Sequence, residues 1–114
     1  QEMWIVVNPD GAKTQAEGCI TMGLGYALRE EVRFQGGRIL DANFDTYALP
    51  RFSWVPAIET VLVPNDELAP QGGGEPAIVP MGAVVANAVF DATGARIRRL
   101  PMTPERVLAE IRRG

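Results

Sequence analysis

Between Met81 and Phe90 the chain reads Met81-Gly82-Ala83-Val84-Val85-Ala86-Asn87-Ala88-Val89-Phe90, in which Asn87 alone is polar. Pro80 suits the first turn of a helix and Gly94 suits a left-handed stop, so the spacing predicts a helix over residues 80–93. A helix that is apolar on nearly every side has to be packed on nearly every side, which predicts a central, buried position. That demand falls on the other elements of a 114-residue chain, the length of one domain.

Those elements are mixed. The β-rich run Trp4-Ile5-Val6-Val7 ends at Asn8-Pro9-Asp10-Gly11, which predicts a strand closed by a turn. Residues 12–31 lack proline and place Ile20, Leu24, Ala27 and Leu28 at helical spacing, so a helix is expected there. Within it Gly18, Gly23 and Gly25 each cost roughly 1 kcal/mol relative to alanine, so packing or a ligand must need the missing side chains. Val32-Arg33-Phe34 and Arg38-Ile39-Leu40 flank Gln35-Gly36-Gly37 as in a hairpin. Residues 41–56 carry Phe44, Tyr47, Phe52 and Trp54 among prolines, an irregular segment too aromatic for a solvated loop. Residues 57–63 are rich in β-branched side chains and are expected as a strand ended by Pro64-Asn65-Asp66. Thr103 as N-cap and Pro104 in the first turn open a last, charged and exposed helix. Strands and helices follow one another without a βαβ repeat, so the fold class is α+β, with residues 1–114 forming a single domain or a fragment of one.

Composition narrows the chemistry. A net charge of −3 gives no general field for nucleic acid, although Arg96, Arg98, Arg99, Arg106, Arg112 and Arg113 gather late in the chain, where a solvated or interface face is expected. No uncharged apolar span is long enough for a membrane helix. Cys19 is the one cysteine and reads as a small buried thiol, and there is no histidine. Acid–base work therefore falls to carboxylates.

One carboxylate stands out. Gln71-Gly72-Gly73-Gly74-Glu75-Pro76 sets three glycines against an acid and a proline, which permits close approach of a bulky group and aims the Glu75 side chain. The same residues also make a solvated turn whose acid favours a helix N-terminus. Gln15 offers an amide at the start of a glycine-lined segment, and amide and backbone N–H groups together can hold an anionic or heteroaromatic cofactor. Neither the Walker pattern nor a Gly-x-Gly-x-x-Gly turn after a strand is present.

Several blocks carry a resemblance. They are Val7-Asn8-Pro9-Asp10-Gly11, Gln15-Ala16-Glu17-Gly18, Met22-Gly23-Leu24-Gly25-Tyr26-Ala27-Leu28, Asn43-Phe44-Asp45-Thr46-Tyr47-Ala48-Leu49-Pro50-Arg51, Gly74-Glu75-Pro76 and Asn87-Ala88-Val89-Phe90-Asp91-Ala92-Thr93-Gly94-Ala95-Arg96, with Leu100-Pro101-Met102-Thr103-Pro104-Glu105-Arg106 after them. In order and rough spacing they resemble the C-terminal part of the molybdenum-binding subunit of the xanthine dehydrogenase and aldehyde oxidase family, in its isoquinoline 1-oxidoreductase-like branch.

The resemblance implies a C-terminal portion of a larger molybdopterin-binding domain, in an oxidoreductase that hydroxylates an aldehyde or N-heteroaromatic carbon with water-derived oxygen. It implies that Glu75 is the general base, that Gln15 contacts the pterin of the molybdenum cofactor, and that Gly72, Gly73 and Gly74 line the cofactor. No metal ligand is expected from this chain. It departs from the family at Met22, where glutamine is common, and it lacks the upstream blocks and the cysteine-rich iron–sulfur segments. The implied partners are the remainder of the molybdenum-binding subunit and an iron–sulfur subunit, with a homo-oligomer as the alternative in isolation. The isolated chain is expected to hold no cofactor and to be inactive, in a compartment left open between cytoplasm and periplasm. A binding or assembly module that kept the family's shape without its chemistry is the competing reading.

Overall fold

The computed structural model describes residues 3, 5–65, 67 and 69–113. Its longest element is helix α1, Pro9–Leu28. Asn8 opens it: the Asn8 Oδ1 accepts the Gly11 N–H at 2.9 Å, and Pro9 sits in the first turn, where its missing N–H costs no hydrogen bond. The residues expected to close a strand therefore start a helix. Ile5, Val6 and Val7 form no strand, because a β-rich run becomes one only against a partner, and none lies beside it among the described residues. Trp4, the first residue of that expected strand, lies outside the described residues.

The hairpin forms where expected. Strands β1 (Phe34–Gln35) and β2 (Arg38–Ile39) pair antiparallel with Phe34 opposite Ile39, and Gly36 and Gly37 take φ of 56° and 78°, which only glycine adopts freely in so tight a turn. Behind the strands a carboxylate clamps the hairpin. Asp41 accepts the Arg33 backbone N–H at 2.6 Å and the Arg33 guanidinium through Nη2 at 2.6 Å and Nε at 3.0 Å, and its side chain is 0% exposed. The Arg33 guanidinium, and then its backbone N–H, hold the Asp41 carboxyl below the usual carboxylate range. A lowered folded-state pKa contributes stability above the unfolded value of about 3.9 and loses it as pH falls through the folded value. Acidification below about pH 4 is accordingly expected to raise hydrogen exchange at Leu40 N–H, which is bonded to the Arg33 carbonyl. Asp41→Asn should show little protection relative to the intrinsic exchange rate, with no change in that protection over the range; equal pH dependence of protection in both forms would refute the clamp.

The second long helix, α2, spans Met81–Thr93 and stops at Gly94 with φ 74°, as the sequence predicts. Its burial differs from expectation. Met81 alone in α2 is buried, while Val84 and Phe90 are 53% and 40% exposed. The helix packs on α1 along one side, and nothing described in this chain covers its other side. Residues 57–63, expected as a strand, carry only an isolated bridge at Val63 among the described residues. A short 3-10 turn at Phe52–Trp54 lies in the aromatic segment, where Arg29 stacks on the Trp54 ring at 4.3 Å and Tyr47 Oη donates to Glu30 at 2.6 Å.

Helix α3, Pro104–Ile111, begins at Thr103, whose Oγ1 accepts the Arg106 N–H, and it buries no residue, as its charges predict. Arg106 ties it to the end of α1 through both oxygens of Glu31, at 2.7 and 3.0 Å. The core between these helices is small: Ala27, Ala95, Ile97 and Met102, with Tyr26, Val85, Val89 and Val107 packed around them. The Met102 N–H closes it by donating to the Ala27 carbonyl at 2.7 Å.

The elements together are α+β, three helices and one small sheet. The chain exposes 8403 Å², against roughly 6,100 Å² for a compact monomer of its mass. Its radius of gyration is 17.3 Å, against about 13 Å for a folded domain of this length. Phe44 and Phe52 stand 75% and 100% exposed. This is more apolar surface than a compact monomer of this size ordinarily leaves uncovered.

Candidate functional site

One face of α1 organises the site. Gln15, Cys19, Gly23 and Tyr26 follow at spacings of four, four and three, which stacks them along a single stripe of the helix. The segment of residues 72–82, a loop and the first residues of α2, lies along that stripe. The Gly74 carbonyl accepts Gln15 Nε2 at 2.6 Å and Cys19 Sγ at 3.0 Å. Further along, Tyr26 Oη donates to the Ile78 carbonyl at 2.8 Å and accepts the Gly82 N–H at 3.2 Å. Met81 occupies the space that a Gly23 side chain would need: a Cβ there would sit 2.6 Å from the Met81 Cβ. The bare helix stripe noted in the sequence is thus a seat for this loop at Gly23. Gly25 serves differently, making room for the Pro50 ring 2.7 Å from where its Cβ would be, and Gly18 faces open space.

Two hydrogen bonds on one carbonyl fix the Gly74–Glu75 peptide, and the turn continues with the Ile78 N–H donating to the Glu75 carbonyl at 3.0 Å. The Glu75 side chain is exposed beside the exposed Gln15. Gln15, Gly74 and Glu75, separated by about sixty residues in the chain, therefore meet. Gly72 lies in the same loop, and neither at Gly72 nor at Gly74 would a Cβ meet anything within 4 Å. None of Gly72, Gly73 and Gly74 has a positive φ, so what Gly72 and Gly74 provide is unobstructed approach to the backbone and not a left-handed turn. Gly73 is half-buried.

Cys19 and Tyr26 were absent from the sequence-derived site. Their spacing from Gln15 was the available signal, since positions four and eleven residues on lie on the same helical face. The sequence expectation of Cys19 as a buried thiol holds, and its bond to Gly74 gives that burial a structural use. No group of three or more metal-ligating side chains occurs among the described residues, and the polar groups the site offers are amide, backbone and carboxylate. Those groups fit a pterin-like ligand: an amide at Gln15, open backbone at Gly72 and Gly74, and an unobstructed carboxylate at Glu75.

Residues 5–56 match the model of a family described as the molybdopterin cofactor-binding domain; Gln15 falls inside that match and Glu75 beyond it. Over 94% of its length the chain is 38% identical to a nicotinate dehydrogenase subunit of Pseudomonas putida, of which it spans 9%. It is also 38% identical over 98% of its length to the beta subunit of isoquinoline 1-oxidoreductase of Brevundimonas diminuta, spanning 14% of that protein. Among solved structures, quinoline 2-oxidoreductase from Pseudomonas putida 86 superposes on 97% of the chain with a TM-score of 0.82 and 26% identity, again along only 15% of the larger chain.

Proposed function

Because the chain belongs to the xanthine dehydrogenase and aldehyde oxidase family of molybdenum-binding subunits, we propose that it forms the C-terminal portion of a molybdopterin-binding domain and supplies that domain with a general base and cofactor contacts. The assembled protein is then a molybdenum hydroxylase acting on an aldehyde or N-heteroaromatic carbon. The observation that carries this reading is the 2.6 Å hydrogen bond from Gln15 Nε2 to the Gly74 carbonyl, which ties the amide of one block to the backbone just before Glu75 in another.

When bound, the molybdenum cofactor supplies the electron acceptor and activates the water-derived oxygen. Glu75 would take up a proton at a carboxylate oxygen. A base must stand within hydrogen-bond reach of its proton, and the doubly bonded Gly74 carbonyl limits the directions in which the following side chain can point. Gln15 holds the loop and presents its amide to the pterin, while Gly72, Gly73 and Gly74 keep side chains out of the cofactor's path. The remainder of the molybdenum-binding subunit covers the open side of α2 and the exposed aromatics, and an iron–sulfur subunit takes the electrons.

One observation favours the second reading, a non-catalytic assembly module: Glu75 is exposed in this chain, and an open site does not exclude water. Metal analysis separates the two. The chain purified together with its native neighbours is expected to carry molybdenum, and the chain alone neither molybdenum nor iron. Absence of molybdenum from the assembled protein would remove the enzymatic reading, and stoichiometric metal in the lone chain would overturn the claim that its cofactor pocket is partial.

A further inference from the structure

The late arginines, scattered in sequence between residues 96 and 113, come together. Arg96, Arg98, Arg99, Arg106 and Arg113 line one cleft of about 620 Å³ between the segment after α2 and the outer face of α3. Two carboxylates offset part of this charge. Arg106 is held by Glu31 at 2.7 Å with Arg99 further off at 3.8 Å, and Arg113 by Glu110 at 3.2 Å. Five guanidinium groups against two carboxylates leave a local excess of three positive charges in a chain of net charge −3. Arg98 has no hydrogen-bonded or ionic partner among the described residues, and the Arg99 and Arg113 side chains are both 77% exposed.

We propose that this arginine cleft is a docking surface for an acidic polypeptide segment. The proposal stands independently of the role given to Glu75. Guanidinium groups pair strongly with carboxylates, and Arg106 already holds one at the cleft, its Nη2 donating to both oxygens of Glu31 while Nη1 donates to the Pro101 carbonyl. Ile97 and Ala109 add apolar floor between the arginines, which suits the aliphatic stems of glutamate side chains and the backbone of an extended peptide. The cleft is poor in what a nucleic acid uses. No aromatic residue lines it, the Phe90 ring is itself covered by the Arg96 guanidinium at 3.5 Å, and Glu31 and Glu110 repel closely spaced phosphates.

The test is fluorescence anisotropy with a labelled oligoglutamate peptide and the whole chain, in low and in physiological salt. Saturable, salt-sensitive binding is expected, weakened roughly tenfold or more by Arg98→Glu with Arg99→Glu, and separately by Arg113→Glu on the other wall. Arg38→Glu, on the hairpin away from the cleft, should leave binding unchanged. Circular dichroism checks that each variant keeps its helices. No saturable binding, equal binding by the reversed variants, or tighter binding of a single-stranded oligonucleotide or of inorganic phosphate than of the peptide would each overturn the proposal.

Discussion

In the assembled enzyme, Glu75→Gln is expected to lower turnover by about 10²–10⁴-fold, the usual cost of losing a positioned general base. Glutamine preserves the side chain's length and its ability to hydrogen bond, and Glu75 is exposed and follows a carbonyl anchored by Gln15 and Cys19, so the fold should hardly change. Glu17→Gln is the control for charge alone, because Glu17 is also exposed, on α1 two residues beyond Gln15. Equal turnover of the two variants at full molybdenum content would reduce residues 71–76 to a structural turn.

The second large effect separates two glycines of one helix. Gly23→Ala places a Cβ 2.6 Å from the Met81 Cβ. That atom is fixed to the backbone of α2, so the helices must move apart, and overpacking of this kind costs about 1–3 kcal/mol. The helix gains roughly 1 kcal/mol from the alanine, which leaves a net loss of up to about 2 kcal/mol. Gly18 has nothing near its missing Cβ, so Gly18→Ala keeps the propensity gain of roughly 1 kcal/mol uncancelled. With about 4–8 °C of melting temperature per kcal/mol in a chain of this size, thermal unfolding should shift in opposite directions for the two substitutions. A stabilised Gly23→Ala would mean that α1 and α2 do not pack as described.

Much was legible because its cause is local. The hairpin at Gly36-Gly37, the stop at Gly94 and the cap at Thr103 each follow from what one or two residues do to their own backbone. The pairing of Gln15 with the loop before Glu75 was legible only as a resemblance between blocks, since no periodicity links residues so far apart. Misreadings arose where structure depends on a neighbour. Ile5 to Val7 have strand composition but no strand beside them among the described residues, residues 57–63 carry only the bridge at Val63, and α2 has the composition of a buried helix but is covered on one side only by the described residues.

By itself, then, the sequence determined the helix and turn boundaries that backbone conformation dictates, the family, and the few groups able to do chemistry. The tertiary structure alone decided which of those groups meet: that Gly23 is bare to seat Met81, that Cys19 joins Gln15 on the Gly74 carbonyl, and that arginines spread over the last stretch share one cleft. The physical reason is the range of the interactions. Caps, turns and propensities act over a few residues and are written in order along the chain, whereas burial and long-range hydrogen bonds depend on which surfaces come together.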